Sequence, residues 1–112
     1  MLPEQGHLLR IYIGETQKHK GQPLYEWIVR QAKEHGLAGA TVLRGIEGFG
    51  ANKRIHGAKI LDLSSDLPIV VEIVDELEKI DSFLPLIDEA IAEGLATVEN
   101  VQIRFYRSRS KK

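Results

Sequence analysis

The stretch TVLRGIEGFGANKRIHGAK, Thr41 to Lys59, begins as a strand, turns into glycines and then into lysine, arginine and histidine. Aliphatic and β-branched residues from Ala40 to Ile46 favour an extended chain. A plain hairpin needs only two or three turn residues. This segment is longer, so it either holds something or presents something. Its place in the chain also matters, because it joins two strands with a helix on either side of the pair.

On the N-terminal side, His7–Gly14 alternates, with Leu9, Ile11 and Ile13 on one side and Leu8, Arg10 and Tyr12 on the other. That period of two is a strand. Glu15–Pro23 is polar, contains Gly21, and reads as a loop. Pro23 suits the first turn of a helix. Leu24, Trp27, Ile28 and Ala32 recur at helical spacing to about His35, with Trp27 in the core, and Gly36 stops the helix.

On the C-terminal side, Ile69–Glu76 (IVVEIVDE) is β-branched on both faces and reads as an interior strand. Asp81 or Ser82 caps a second helix, with Pro85 in its first turn. Phe83, Leu84, Ile87, Ala90 and Ile91 mark its buried side, and Gly94 ends it. The last strand spans about Val98–Tyr106, with Val101, Ile103 and Phe105 on one face. Asp75, Glu76, Glu78 and Asp81 read as a solvated acidic turn.

The order strand, helix, strand, strand, helix, strand predicts an α+β fold. It is the ferredoxin-like βαββαβ sandwich, a four-stranded antiparallel sheet with both helices on one face. By sequence number the strand order is 4-1-3-2. The helix-free face then carries Leu8, Arg10, Tyr12, Arg104 and Tyr106. To these the third strand adds either Val70, Glu72 and Val74 or Ile69, Val71 and Ile73. Arg10 and Glu72 pair there, with Arg104 nearby. A face this apolar is expected to be covered by other copies of the chain.

The 112 residues suit a single domain, 1–112, with about 49–59 as a mobile loop and about 107–112 as a flexible basic tail. With no cysteine, disulfides, zinc–thiolate sites and thiol chemistry are excluded. Apolar runs are far too short for a membrane span, and the expected location is cytoplasmic. The net charge of −1 argues against a nucleic-acid partner, but its distribution is uneven. Met1–Ile60 holds nine Lys/Arg and five Asp/Glu, Leu61–Ile103 one and eleven, and Arg104–Lys112 five and none. The basic regions would make a local anion site if they met.

Gly45, Gly48 and Gly50 permit close backbone approach, and successive amides in such turns form anion nests. Lys53, Arg54, His56 and Lys59 follow at once. The pattern matches neither the P-loop nor the dinucleotide fingerprint, and it fits a long hairpin loop as well as a ligand loop. Arg104, Tyr106, Arg107 and Arg109 form a second candidate, with arginine forks for phosphate and a tyrosine to stack on a base. His7, His19, His35 and His56 show no metal-ligand spacing, and no serine stands in a nucleophile elbow. No catalytic residue is assigned. An acylphosphatase, which shares the topology, would want an Arg in a glycine-rich loop after strand one and an Asn on strand two. Neither is present.

RGIEGFG (Arg44–Gly50) after a strand, IYIGE (Ile11–Glu15), LPIVVEIVD (Leu67–Asp75) and the looser Lys18–Val42 resemble the PII-like proteins grouped as domain of unknown function 190. That resemblance implies a ferredoxin-like subunit in a compact homotrimer, similar to PII signalling proteins and CutA. It implies adenine-nucleotide clefts between subunits, with no other cofactor required. Arg44, Gly45, Glu47, Gly48, Phe49 and Gly50 would line the cleft, together with Arg104, Tyr106 and Arg107. The loop carrying Lys53, Arg54, His56 and Lys59 would act on a membrane transporter or another regulated protein. The chain departs from PII proteins in two ways. Gly94–Asn100 (GLATVEN) lacks the lysine of a triphosphate loop, so AMP or a cyclic or dinucleotide suits it better. Phe49–Lys59 also has no tyrosine to modify. The alternative is a CutA-like stress protein binding divalent metal.

Overall fold

Leu9, Ile11 and Ile13 alternate along β1 (Gln5–Gly14) and are almost wholly buried, at 0, 0 and 6% exposure. In the computed structural model, which describes residues 2–52, 54–57 and 66–109, they form the floor of the core. Beside β1 runs β7 (Pro68–Asp75), whose Ile69, Val71 and Ile73 are buried on the same face. Val70, Glu72 and Val74 therefore face away from the helices, which settles the choice the sequence left open. Over this floor lie α1 (Leu24–Glu34), through Leu24, Trp27, Ile28 and Ala32, and α2 (Leu77–Asp88), through Ile80, Phe83 and Ile87.

The edges of the sheet are β4 (Thr41–Arg44) and β8 (Leu95–Gln102). The order is β4-β7-β1-β8, all pairs antiparallel, which is the expected 4-1-3-2 read from the other edge. Two short hairpins interrupt segments expected to be loops. In β2 (Lys18–His19) and β3 (Gln22–Pro23), Lys20 and Gly21 have φ of 52° and 79°, the two positive values of a type I′ turn. His19 lies against Trp27 with ring centroids 4.3 Å apart, so this hairpin packs on α1. The other pair is β5 (Glu47–Gly48) with β6 (His56–Gly57).

Local chemistry explains how the helices start and stop. Past α1, Gly36 takes φ 76°, its N–H donates to Lys33 O at 3.2 Å, and the Leu37 N–H donates to Ala32 O at 3.0 Å. That is a Schellman stop. The second helix differs from expectation. It starts at Leu77, directly after β7, so Pro85 lies inside it and Ser82 is no cap. The Ser82 hydroxyl donates to Glu78 O at 3.0 Å instead. Ile80 belongs to the same buried stripe as Phe83 and Ile87, and burying it outweighs the amide bond that Pro85 forfeits on the exposed side.

Asp75 is not part of a solvated turn. It is 1% exposed at the end of β7, where Oδ2 accepts the Ala38 N–H at 2.9 Å and Oδ1 accepts the Glu76 N–H at 2.7 Å. One carboxylate thus ties the α1–β4 connection to the start of α2.

The last strand also departs from expectation. It spans Leu95–Gln102 rather than Val98–Tyr106. Val101 pairs with Gly6 and Glu99 with Leu8, so Val101 lies on the helix-free face. Phe105 is 71% exposed beyond the strand. The helices cover β1 and β7 and leave β8 open, so apolar alternation there does not report the core. Among the described residues, no helix is long and apolar enough to cross a membrane.

Removing the Asp75 carboxylate leaves two half-buried N–H groups without their acceptor. Asp75→Ala is expected to lower unfolding free energy by about 2–3 kcal/mol, measured by urea denaturation.

Candidate functional site

Register places the candidate residues at opposite ends of the sheet. At one end Gly14 pairs with Pro68 and Arg44 with Ile69; at the other Gln5 pairs with Gln102 and His7 with Asp75. The nine steps along β1 separate these ends by about 30 Å.

The first end is built on Pro68. The Gly45 N–H donates to Pro68 O at 2.7 Å, and a Cβ on Gly45 would stand 2.9 Å from Pro68 Cγ. For Gly48, in β5, that separation would be 3.3 Å. These glycines let the chain fold closely over the proline ring. Gly50 is different: among the described residues, nothing lies within 4 Å of its would-be Cβ. Ile46 and Phe49 are exposed at 81 and 63%. The Arg54 N–H donates to Asn52 Oδ1 at 3.0 Å, an Asx-type turn. His56 belongs to β6, while Lys53 and Lys59 lie outside the described residues.

The end of β1 completes this region. The Glu15 N–H donates to Leu67 O at 2.8 Å and the Thr16 N–H to Asp66 Oδ1 at 2.7 Å. Gln17 Oε1 accepts the Gly14 N–H at 2.6 Å, and its Nε2 donates to Glu93 O at 2.9 Å. The Arg44 guanidinium donates through Nη2 to Glu15 Oε2. Apart from Arg44, the sequence singled out none of these partners as a site residue. Apart from the local Gly14–Gln17 contact, they lie 29 to 76 positions apart, and no local pattern encodes such a meeting.

The second set lies beyond the other end. Arg104 Nη1 reaches Gln102 Oε1 at 3.4 Å, and the Arg107 guanidinium sits 4.5 Å from the Phe105 ring centroid. The Tyr106 hydroxyl donates to Ala38 O. Within one chain, then, Arg104, Tyr106 and Arg107 do not meet Arg44–Gly50.

On the helix-free face Arg10 Nε donates to Glu72 Oε2 at 2.9 Å. Its second partner is Glu99, through Nη1, not a nearby Arg104. The hydrogen bond it donates to Glu72 raises the Arg10 pKa above its ordinary value, against the opposition of burial and with smaller reinforcement from Glu99. The group stays cationic at any pH at which the protein folds. Leu8, Tyr12, Val70 and Val74 surround it. Separately, a groove of about 500 Å³ between α2 and β8 is lined by Leu84, Pro85, Ile87, Ile91, Leu95 and Ala96, where β8 lacks a helical cover.

The connection from α2 to β8 is Glu89–Gly94 (EAIAEG), because Leu95–Asn100 already belongs to the strand. This shorter link also has no Lys or Arg. Among the described residues, no three His, Asp or Glu side chains form a metal-holding group.

Residues 6–103 match the family DUF190, described as "Uncharacterized ACR, COG1993", and the chain belongs to that family. It is 47% identical over 98 residues to a UPF0166 protein of Aquifex aeolicus strain VF5, covering 88% of this chain and 92% of the relative. The fold is that of PII-like proteins. It is similar to CPII, a nitrogen regulatory PII-like protein from Thiomonas intermedia K12 solved with ADP, AMP and bicarbonate, at a TM-score of 0.64 and 16% identity, covering 88% of each chain. It is also similar to a putative PII-like signaling protein from Thermus thermophilus, at a TM-score of 0.65 and 20% identity, covering 92% of this chain and 93% of the other.

The glycine geometry separates close packing at Gly45 from open space, among the described residues, at Gly50. Gly45→Ala forces its methyl group against the Pro68 ring and is expected to cost about 1–2 kcal/mol in thermal melts. Gly50→Ala, in open space, should change stability by less than about 0.5 kcal/mol by the same measurement.

Proposed function

We propose that the protein is a PII-like regulator that binds an adenine nucleotide, AMP or one of similarly low charge, at the seams of a homotrimer. It acts on a membrane transporter or another regulated protein through the segment joining β5 to β6. The observation that carries this reading is the separation of Arg44–Gly50 from Arg104, Tyr106 and Arg107. These are the residue types that suit a phosphate and a base, yet one chain holds them toward opposite ends of the sheet. A neighbouring copy is the simplest means of uniting them.

The helix-free face supports such an assembly. Leu8, Tyr12, Val70 and Val74 form its apolar part, and Arg10 holds both Glu72 and Glu99 within the chain. Buried between copies, such a charge group sets register more than it adds affinity. The ligands found with CPII, ADP and AMP, agree with a nucleotide class of ligand. The absence of Lys and Arg from Glu89–Gly94 favours a monophosphate over a triphosphate. With Gly50 open to its surroundings, a ligand has access to backbone amides on that side.

Light scattering is expected to give the mass of three chains, and calorimetry to show heat with AMP and less affinity for ATP. Arg107→Ala should weaken AMP about tenfold, roughly 1.4 kcal/mol, without dissociating the trimer. Single chains in solution, or no heat with AMP, ADP, ATP or cyclic nucleotides, would overturn the reading.

A further inference from the structure

Arg44 is the cation at the head of the glycine segment, and it already has a partner, the Glu15 carboxylate. The two halves of this pair differ in freedom. Glu15 is 25% exposed, and its backbone is fixed by the hydrogen bonds of Gly14, Glu15 and Thr16 at 2.6, 2.8 and 2.7 Å. Arg44 is 61% exposed, at the end of an edge strand, and its pairing engages only Nη2 of a guanidinium that offers five donors. Such an exposed pair is held weakly, so Arg44 is free to change partner while Glu15 stays where the backbone puts it.

The geometry points to Glu15 as a charge filter on the ligand of this site: an incoming phosphate takes Arg44 from Glu15, and the released carboxylate then stands beside the bound anion. This inference rests on the nucleotide reading above and adds what sets the ligand's charge. Two effects act in the same direction. The phosphate gains Arg44 only after the Glu15 pair is given up. The freed carboxylate then repels the ligand more strongly the more negative the ligand is. Glu47 on β5 and Asp66 beside Thr16 place the same sign of charge at this end of the sheet. Discrimination between ligands that share a base and ribose needs a repulsive element of this kind, because the attractive contacts are common to them.

The test is calorimetry of AMP, ADP and ATP against the intact wild-type protein and Glu15→Gln, Glu15→Asp and Arg44→Gln. Thermal melts of each would check folding. Glu15→Gln is expected to tighten AMP about twofold to fivefold, within the range of an exposed ion pair, and to tighten ATP further, so that the ATP-to-AMP affinity ratio rises. Glu15→Asp keeps the charge and should keep the wild-type ratio. Arg44→Gln should weaken AMP about tenfold. If the wild type binds AMP but Glu15→Gln binds it no better, or the ratio does not move, the filter is wrong and the nucleotide site stands. If Arg44→Gln leaves AMP binding unchanged, the filter is wrong whether or not Glu15→Gln folds. If neither the wild type nor any variant binds a nucleotide, the nucleotide reading fails and the filter falls with it.

Discussion

The pairing of β1 with β7 sets everything else. Its register matches Leu9 with Ile73, Ile11 with Val71 and Ile13 with Ile69 under the helices, and it matches Arg10 with Glu72 on the opposite face. Side chains alternate strictly along a strand, so a slip of β7 by one residue would turn Glu72 beneath α1 and α2, away from Arg10, and expel Ile69, Val71 and Ile73 from the core. Burying ionised groups without full compensation costs several kcal/mol each, on top of the lost apolar burial. The register is therefore held from both faces at once. The charge pair specifies alignment, while the aliphatic ladder supplies most of the stability.

The two ends of β7 then organise the irregular parts of the chain. At the start, Pro68 offers its ring and a carbonyl, over which Gly45 and Gly48 fold without a side chain in the way. At the finish, Asp75 turns its carboxylate back onto the Ala38 and Glu76 amides. The Tyr106 hydroxyl on Ala38 O extends that arrangement to the C-terminal segment. Irregular backbone is thus anchored on both sides to the most buried strand, and residues suited to a ligand stand on rigid supports. That is what a binding site requires if affinity is not to be lost to ordering the protein.

What the helices leave uncovered is equally informative. Two helices span β1 and β7 but not β8, so the edge strand is largely exposed and the sheet's far face carries apolar side chains in the open. In an isolated chain such surface is a liability. In the proposed assembly it becomes contact area, and the same assembly would bring together the two arginine-bearing regions that the fold keeps apart. The trimer and the ligand site proposed here answer one structural fact from two sides.

Patterns of short range were legible in the sequence. The alternation of Leu9, Ile11 and Ile13, the spacing of Leu24, Trp27, Ile28 and Ala32, and the glycine stop at Gly36 gave the βαββαβ order and hence the sheet topology. These follow from periodicity and backbone sterics, which each segment carries by itself. Pro85 and Ser82 misled because their usual positions are only preferences, and burial of Ile80 outweighed them. Val101 misled because an edge strand without a helical cover loses the link between hydrophobicity and burial. Asp75 looked like surface in a run of acids, and only the amides of Ala38 and Glu76 brought against it make its burial tolerable. Arg44 was visible as a candidate, but its partner Glu15 was not. Residues so far apart in the chain meet only when the whole sheet is assembled, and their pairing is a property of that assembly rather than of either segment.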